Sequence, residues 1–339
     1  MGKDNNALCE YLDNNERFAD LFNAQFFQGK QVVHPDELES ISEKYIEKPA
    51  KTHHNQITTE RIRDIQKRLK SGGILRVLAI ESQTYVDYTM PWRCMNYDSL
   101  EYGKQIREIK DRNMRNNKFS TSAERLCGFL KSDHIIPVYT ICLYHGQEPW
   151  DGPRSLQDMM DFGEDSDQWR ELFADYRFRL VCMNEVNNVS HFHTPLGLLF
   201  AVLPLRKDKS ALKDLISNDP AFQTLDRETM EVIATMTNNS KVLKNMNSYE
   251  NKGGYNMCEA LEGIKEEGKE EGRIEGADLK LIELICKKLQ KRKSPEIIAE
   301  ELEEELATIQ EICNAATRFA PDYDCKKIYA AWKPIKEED

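Results

Sequence analysis

No stretch of this sequence approaches the roughly 20 uncharged apolar residues that a membrane span needs. The opening MGKDNNALCEYLDNNERF also lacks the basic-then-apolar pattern of a secretory leader. The expectation is a soluble protein kept in the cytoplasm, with no membrane partner. Paired cysteine motifs are missing too. The nine cysteines are odd in number, scattered, and never arranged as C-x-x-C, which excludes a disulfide framework and a structural zinc and leaves reduced thiols. There is no P-loop, no dinucleotide fingerprint and no G-x-S-x-G, so no nucleotide cofactor is expected. Positive charge is in short supply: 47 Lys and Arg stand against 58 Asp and Glu, a net −11.

That deficit is unevenly spread. The segment 257–339 holds 14 basic and 21 acidic residues, so −7 lies in the tail and only −4 in the larger body. Within the body, 61–125 holds 14 basic and 8 acidic residues, a local +6. Its main contributors are Arg61, Arg63, Lys67, Arg68, Lys104, Arg107, Arg112, Arg115 and Lys118. A local basic surface, not the global charge, neutralises phosphates. The plain alternative is a set of solvated faces on a strand and a helix.

With 339 residues, 40% of them hydrophobic, the chain can bury a sizeable core and suggests two domains or one large domain with an appendage. Phe18, Leu21, Phe22, Gln25 and Phe26 recur at helical spacing within 14–28, ended by Gly29. Segments 57–66 and 74–80 (ILRVLAI) read as neighbouring strands joined at Gly72-Gly73. Met95, Leu100, Tyr102 and Ile106 suit a helix from Pro91 to about Asn113. Segments 135–144 (IIPVYTICLY) and 178–183 read as further strands, and 196–216 and 227–236 as mainly helical. The body, 1–256, is therefore expected to be α/β with a mixed central sheet flanked by helices.

The tail changes character at residue 257. Gly263, Gly268, Gly272 and Gly276 interrupt a Glu/Lys/Arg run, and each costs a helix roughly 1 kcal/mol against Ala. Segment 257–277 reads as a charged helical linker. Segment 278–339 reads as a small helical module for self-association or another interaction, expected to make the chain a homo-oligomer, with Ser294-Pro295 opening its second helix. A DNA-reading helix-turn-helix there would carry Glu303, Glu304, Glu305 and Glu311, which oppose phosphate.

The stretch with most chemical content is Arg61-Ile62-Arg63-Asp64 followed by Glu81-Ser82-Gln83 at the end of the apolar strand. Neighbouring strands lie about 4.8 Å apart, so Asp64 and Glu81 can converge on one hard cation. Such a cation acidifies a bound water for attack on a phosphodiester. Any strand can equally end in a solvated Glu. His191 and His193 form H-x-H without a third ligand at useful spacing, which favours a loop role over zinc.

The stretch RIRDIQKRLKSGGILRVLAIESQTYVDYTMPWRCMNYDSLEY resembles the recombination-promoting nuclease and putative transposase family of the PD-(D/E)XK superfamily. The residues that carry the likeness are Asp64, Glu81, Gln83, Met90, Arg93 and Tyr97. The later IIPVYTICLYHGQEPW is similar to the family's second apolar strand, through Tyr144, His145, Gly146 and Trp150. The resemblance covers about 13–238 and implies a restriction-endonuclease-like core with magnesium-dependent DNA cleavage, with manganese or calcium as alternative ions. It implies Asp64, Glu81 and the Ser82 carbonyl as metal ligands, with Asp20 on the first helix as a further acidic ligand. Gln83 stands where the superfamily commonly has Lys, so it would position water without supplying charge. Arg93, Tyr102, Gln105, Arg107, Arg112 and Arg115 would meet DNA. His145 is expected to line the site or to close its strand tightly. The rivals are a non-catalytic DNA-binding protein on a decayed nuclease fold and a transposase. The physiological setting would be recombination, mobile elements or phage defence.

Overall fold

The structure is a computed structural model that describes residues 3–41, 45–47, 59–61, 64–71, 74–164, 166–185, 188–251 and 253–333. The chain divides into two compact units, Met1–Cys258 and Glu259–Asp339.

The first unit opens with α1 (Lys3–Leu12), a helix the sequence reading did not anticipate. Leu8, Tyr11 and Leu12 are buried on it, and the Tyr11 hydroxyl meets Thr229 Oγ1 at 2.8 Å. Next comes α2 (Asn15–Phe27), capped by Asn14, whose Oδ1 accepts from the N–H groups of Glu16 and Arg17. A side-chain acceptor at this position satisfies N–H groups that the helix itself cannot. The helix stops at Gln28 and Gly29, both at positive φ; a Cβ on Gly29 would lie 2.8 Å from the His191 carbonyl, so only glycine fits. Phe18, Leu21 and Phe22 of α2 are fully buried, each worth about 1.5–3 kcal/mol over exposure.

Three short strands follow: β1 (Leu38–Ser40), β2 (Tyr45–Glu47) and β3 (Thr59–Arg61), the last two paired with each other. The long strands β4 (Ile65–Ser71) and β5 (Ile74–Gln83) form an antiparallel pair. Strand β4 thus starts near the end of the expected 57–66 strand, and the Gly72-Gly73 turn lies outside the described residues. The chain crosses over through α3 (Met90–Asn116) and α4 (Ser122–Cys127) to β6 (Val138–Tyr144), parallel to β5. After α5 (Ser166–Leu172), β7 (Arg179–Cys182) adds parallel to β6. The sheet order is β1-β4-β5-β6-β7, a mixed five-stranded sheet with β5 at its centre.

Helix α3 has the expected position, but the sequence reading picked the wrong face. Met95, Leu100, Tyr102 and Ile106 are only partly buried. The buried stripe is Cys94, Asp98, Glu101 and Gln105, spaced four, three and four apart. Its polar groups are satisfied by the sheet and its connections: Asp98 accepts from the Thr140 and Tyr176 hydroxyls at 2.7 and 2.5 Å, and Glu101 accepts from the Gln66 amide at 3.3 Å. Burial of hydrogen-bonded polar groups is tolerated where unpaired burial is not.

The unit closes with α6 (Leu196–Val202), α7 (Lys209–Asn218), α8 (Arg227–Met236) and α9 (Ser240–Lys244), and the short antiparallel pair β8 (Glu250–Asn251) and β9 (Gly254–Tyr255). Helix α1 packs on both α8 and β5.

The tail forms four helices: α10 (Met257–Leu289), α11 (Pro295–Leu302), α12 (Leu306–Thr317) and α13 (Cys325–Trp332). The Glu/Gly-rich segment and the first apolar-striped segment are one continuous helix. Ile282, Ile285, Ile298, Ile309, Ile312 and Ile328 form the core of this second unit. A Cβ on Gly268, Gly272 or Gly276 would meet nothing within 4 Å. Among the described residues, no helix is long and apolar enough to cross a membrane.

Candidate active site

The antiparallel register pairs Ile65 with Ile80, which brings Asp64, just before β4, level with Glu81 near the end of β5. The Ser82 N–H donates to Asp64 Oδ2 at 2.7 Å, so the two carboxylates flank one backbone step. Glu81 is 1% exposed. Burial raises the Asp64 pKa above its ordinary value, partly offset by the Ser82 N–H and the Arg93 charge.

Arg93, from the first turn of α3, reaches back over the strand end. Its guanidinium lies 3.8 Å from Glu81 Oε2, 2.7 Å from Asp87 Oδ2 and 3.3 Å from Gln83 Oε1. Burial alone would lower its pKa, but the hydrogen bond to Asp87 and the charges of Glu81 and Asp87 outweigh that and raise it. Tyr97, one turn further on, has its phenol pKa raised by burial and then by the Glu81 charge. The structure therefore brings together Asp64, Glu81, Ser82, Gln83, Arg93 and Tyr97.

Two wall residues come from the unanticipated α1. The Cys9 thiol is pushed up to about 12, first by burial and next by the Asp64 carboxylate, with Glu81 adding to it. One turn earlier, Asn5 Oδ1 meets His145 Nε2 at 3.2 Å. The only signal for this wall in the sequence is the four-residue spacing of Asn5 and Cys9. His145 is 2% exposed, its N–H donates to the Gln83 carbonyl at 2.9 Å, and its ring sits 3.4 Å from Thr84 Oγ1. Burial, then the Arg206 charge, lowers its pKa to about 4, so it is a neutral brace and not a proton carrier near neutral pH. The Y-H-G ending has a steric cause: a Cβ on Gly146 would collide with the Tyr144 hydroxyl and the Thr84 carbonyl.

Several expected site residues serve other ends. Asp20 is buried on α2, and its carboxylate accepts from the His193 N–H, the Thr194 N–H and the Thr194 hydroxyl. It ties down the loop before α6 with three donors on its two oxygens, an architectural role that the sequence does not announce. Tyr102 and Gln105 were expected to meet DNA, but they anchor α3 to the start of β6. The Tyr102 hydroxyl accepts from the Val138 N–H at 3.2 Å, and Gln105 Oε1 accepts from the Ile136 N–H at 2.6 Å. Lys67 is withdrawn from the basic surface: fully buried, its Nζ donates to the Asp13 carbonyl, Asp13 Oδ1 and Ser40 Oγ. Arg107, Arg112 and Arg115 are exposed on α3, although Arg112 pairs with Asp133 at 3.2 Å. Arg63 lies outside the described residues. His193 Nε2 meets the Gly29 carbonyl at 3.0 Å, a loop contact.

Two carboxylates and a neighbouring backbone carbonyl suit a hard cation that keeps several waters of its own, as magnesium does. Among the described residues at this strand end, Asp64, Glu81 and Asp87 outweigh the Arg93 charge, so the locale favours a cation. Among the described residues no group of three His, Cys, Asp or Glu side chains is arranged to hold a metal. Any ion would therefore depend on water and substrate oxygens for its remaining ligands. No family model, curated protein or solved structure matches this chain.

Proposed function

We propose that this protein is a magnesium-dependent DNA endonuclease of the recombination-promoting nuclease and putative transposase type, built on a restriction-endonuclease-like core. The observation that carries the reading is the hydrogen bond from the Ser82 N–H to Asp64, which holds a second carboxylate beside the buried Glu81 at the end of β5. The antiparallel β4–β5 pair beside the parallel β5–β6 pair, with α3 between them, supports the same reading.

Asp64 and Glu81 would hold the ion, with the Ser82 carbonyl beside them. When bound, magnesium supplies a Lewis acid for the phosphoryl oxygen and a more acidic water. Gln83 offers no charge where relatives in the wider superfamily carry Lys. Arg93 makes good that loss, because Gln83 Oε1 holds its guanidinium at the strand end. Partly exposed there, Arg93 can take a phosphate oxygen while remaining tethered to Asp87. His145 and Asn5 keep α1 against the strand end behind Gln83.

The test is plasmid nicking by purified Asp64→Ala and Glu81→Ala proteins in magnesium. Each is expected to lose activity by more than about a hundredfold, beyond the loss typical of removing a metal's outer partners, with unchanged circular dichroism. Variants that nick like the parent would show that the site is wrongly placed.

A further inference from the structure

Between Gln83 and the end of α3's first turns, every exposed large apolar side chain among the described residues is aromatic. Tyr85, Tyr88 and Trp92 are 82%, 59% and 42% exposed. One exposed ring is ordinary, but these three share one short loop and the helix start that follows it, two residues past Gln83.

The loop is pinned from behind. Thr84 Oγ1 meets the His145 ring, and Val86 packs on the cluster of Met90, Cys94, Tyr144 and Trp150. Asp87 accepts from the Thr89 N–H, the Thr89 hydroxyl and Arg93. The Tyr88 hydroxyl donates to both oxygens of Asp151 at 3.1 Å. Residues 84 and 86 thus turn inward and Tyr85 turns outward. A ring displayed on a fixed backbone loses little freedom when it binds.

We infer that Tyr85, Tyr88 and Trp92 form a stacking platform for the unpaired bases of single-stranded DNA, which feeds a strand to Asp64 and Glu81. The strand's destination rests on the nuclease reading above. Flat rings with polar tips stack on any base, whereas a duplex hides the base faces they need. A protein-docking patch would mix in aliphatic side chains, as the exposed Met159, Met160, Trp169 and Leu172 do elsewhere on this unit. The two acidic groups beside the rings are both engaged, Asp87 by Arg93 and Asp151 by Tyr88. Asp151 keeps its charge against a neutral hydroxyl, so a strand here would be held by stacking and not by contacts to its phosphates.

The experiment uses the full chain in EDTA, so that nothing is cut, and measures anisotropy of a labelled oligothymidine and of a labelled hairpin duplex. The parent should bind the single strand more tightly than the duplex. Tyr85→Ala, Tyr88→Ala and Trp92→Ala should each weaken oligothymidine binding by about tenfold, in line with the usual loss per stacked base. Duplex affinity and the salt slope of single-strand binding should stay unchanged. Tyr85→Phe should bind like the parent; since Tyr85 is 82% exposed, its substitution does not threaten the fold. Single-strand binding that survives Tyr85→Ala and Trp92→Ala, or losses shared equally with the duplex, overturns the platform. If the parent binds oligothymidine through these rings yet never cuts DNA, the nuclease reading falls and the platform stands.

Discussion

Asp20 and Asp64 are both aspartates drawn away from water, and their surroundings are opposite. Asp20 is 2% exposed, and its two oxygens accept from three donors on residues 193 and 194. Asp64 accepts one hydrogen bond among the described residues, from Ser82, and burial holds its pKa up. A buried carboxylate held by three donors fastens the fold. One left short of donors beside a second carboxylate retains capacity for a cation. Chemical type does not separate the two, but the donor count does.

The contrast can be broken most directly at Asp20. Asp20→Ala leaves the His193 and Thr194 N–H groups without their acceptor, and the expected cost is about 2–4 kcal/mol in urea unfolding. Cleavage per folded molecule should be retained. An unfolding midpoint equal to the parent's would remove the architectural half of the comparison.

His145 sharpens the same contrast through pH. Its folded pKa is lowered to about 4 from 6.5, so the unfolded chain takes up a proton first as the solution is acidified. Stability should fall from near pH 6.5 down to about pH 4, and His145→Gln should flatten that part of the profile. Thermal melts across this range decide it; parallel profiles for both proteins would show that the ring is not a buried neutral brace.

A smaller effect is expected at Asp64. Asp64→Asn keeps an acceptor for the Ser82 N–H while removing a charge that burial disfavours. Because the folded pKa is raised, the cost of the charge is present above that pKa and disappears in acid. The variant should melt slightly higher than the metal-free parent at neutral pH, with the gain fading as the pH falls through the raised folded pKa and gone below the ordinary carboxylate value. It should also lose any stabilisation by magnesium. A lower melting temperature at neutral pH would mean that Asp64 serves the fold as Asp20 does.

The arginines of α3 should give the mildest change. Converting Arg107 and Arg115 to Gln should reduce the salt slope of duplex binding by about 0.9 for each phosphate that is no longer neutralised. Arg112→Gln should do less, since Asp133 already holds that guanidinium. Identical slopes for all three would place the basic surface elsewhere.

What could be read in the sequence was local. The apolar run ILRVLAI marks β5, and its ending marks Glu81, because a central strand is apolar until it leaves the core. Pro91 marks the start of α3. The buried face of that helix was hidden because Asp98, Glu101 and Gln105 are polar and find their partners on strands and loops far along the chain. Asp20 looked like a ligand because its donors lie 173 and 174 residues downstream. Cys9 and Asn5 escaped notice because α1 has only a partial apolar stripe, and packing on β5 and α8 gives it its place.

Helix α1 also imposes an order in time. It is synthesised well before its cover, for the Thr229 hydroxyl that meets Tyr11 follows 218 residues later. At about 5–20 residues per second, that interval is on the order of 10 to 40 s. Throughout it Leu8, Tyr11 and Leu12 lack α8 as their cover, and the cleft beside Glu81 lacks the support that fixes its wall. A nascent chain thus carries both carboxylates before it has a finished pocket, and the Asp64–Glu81 site matures only as α8 closes on α1.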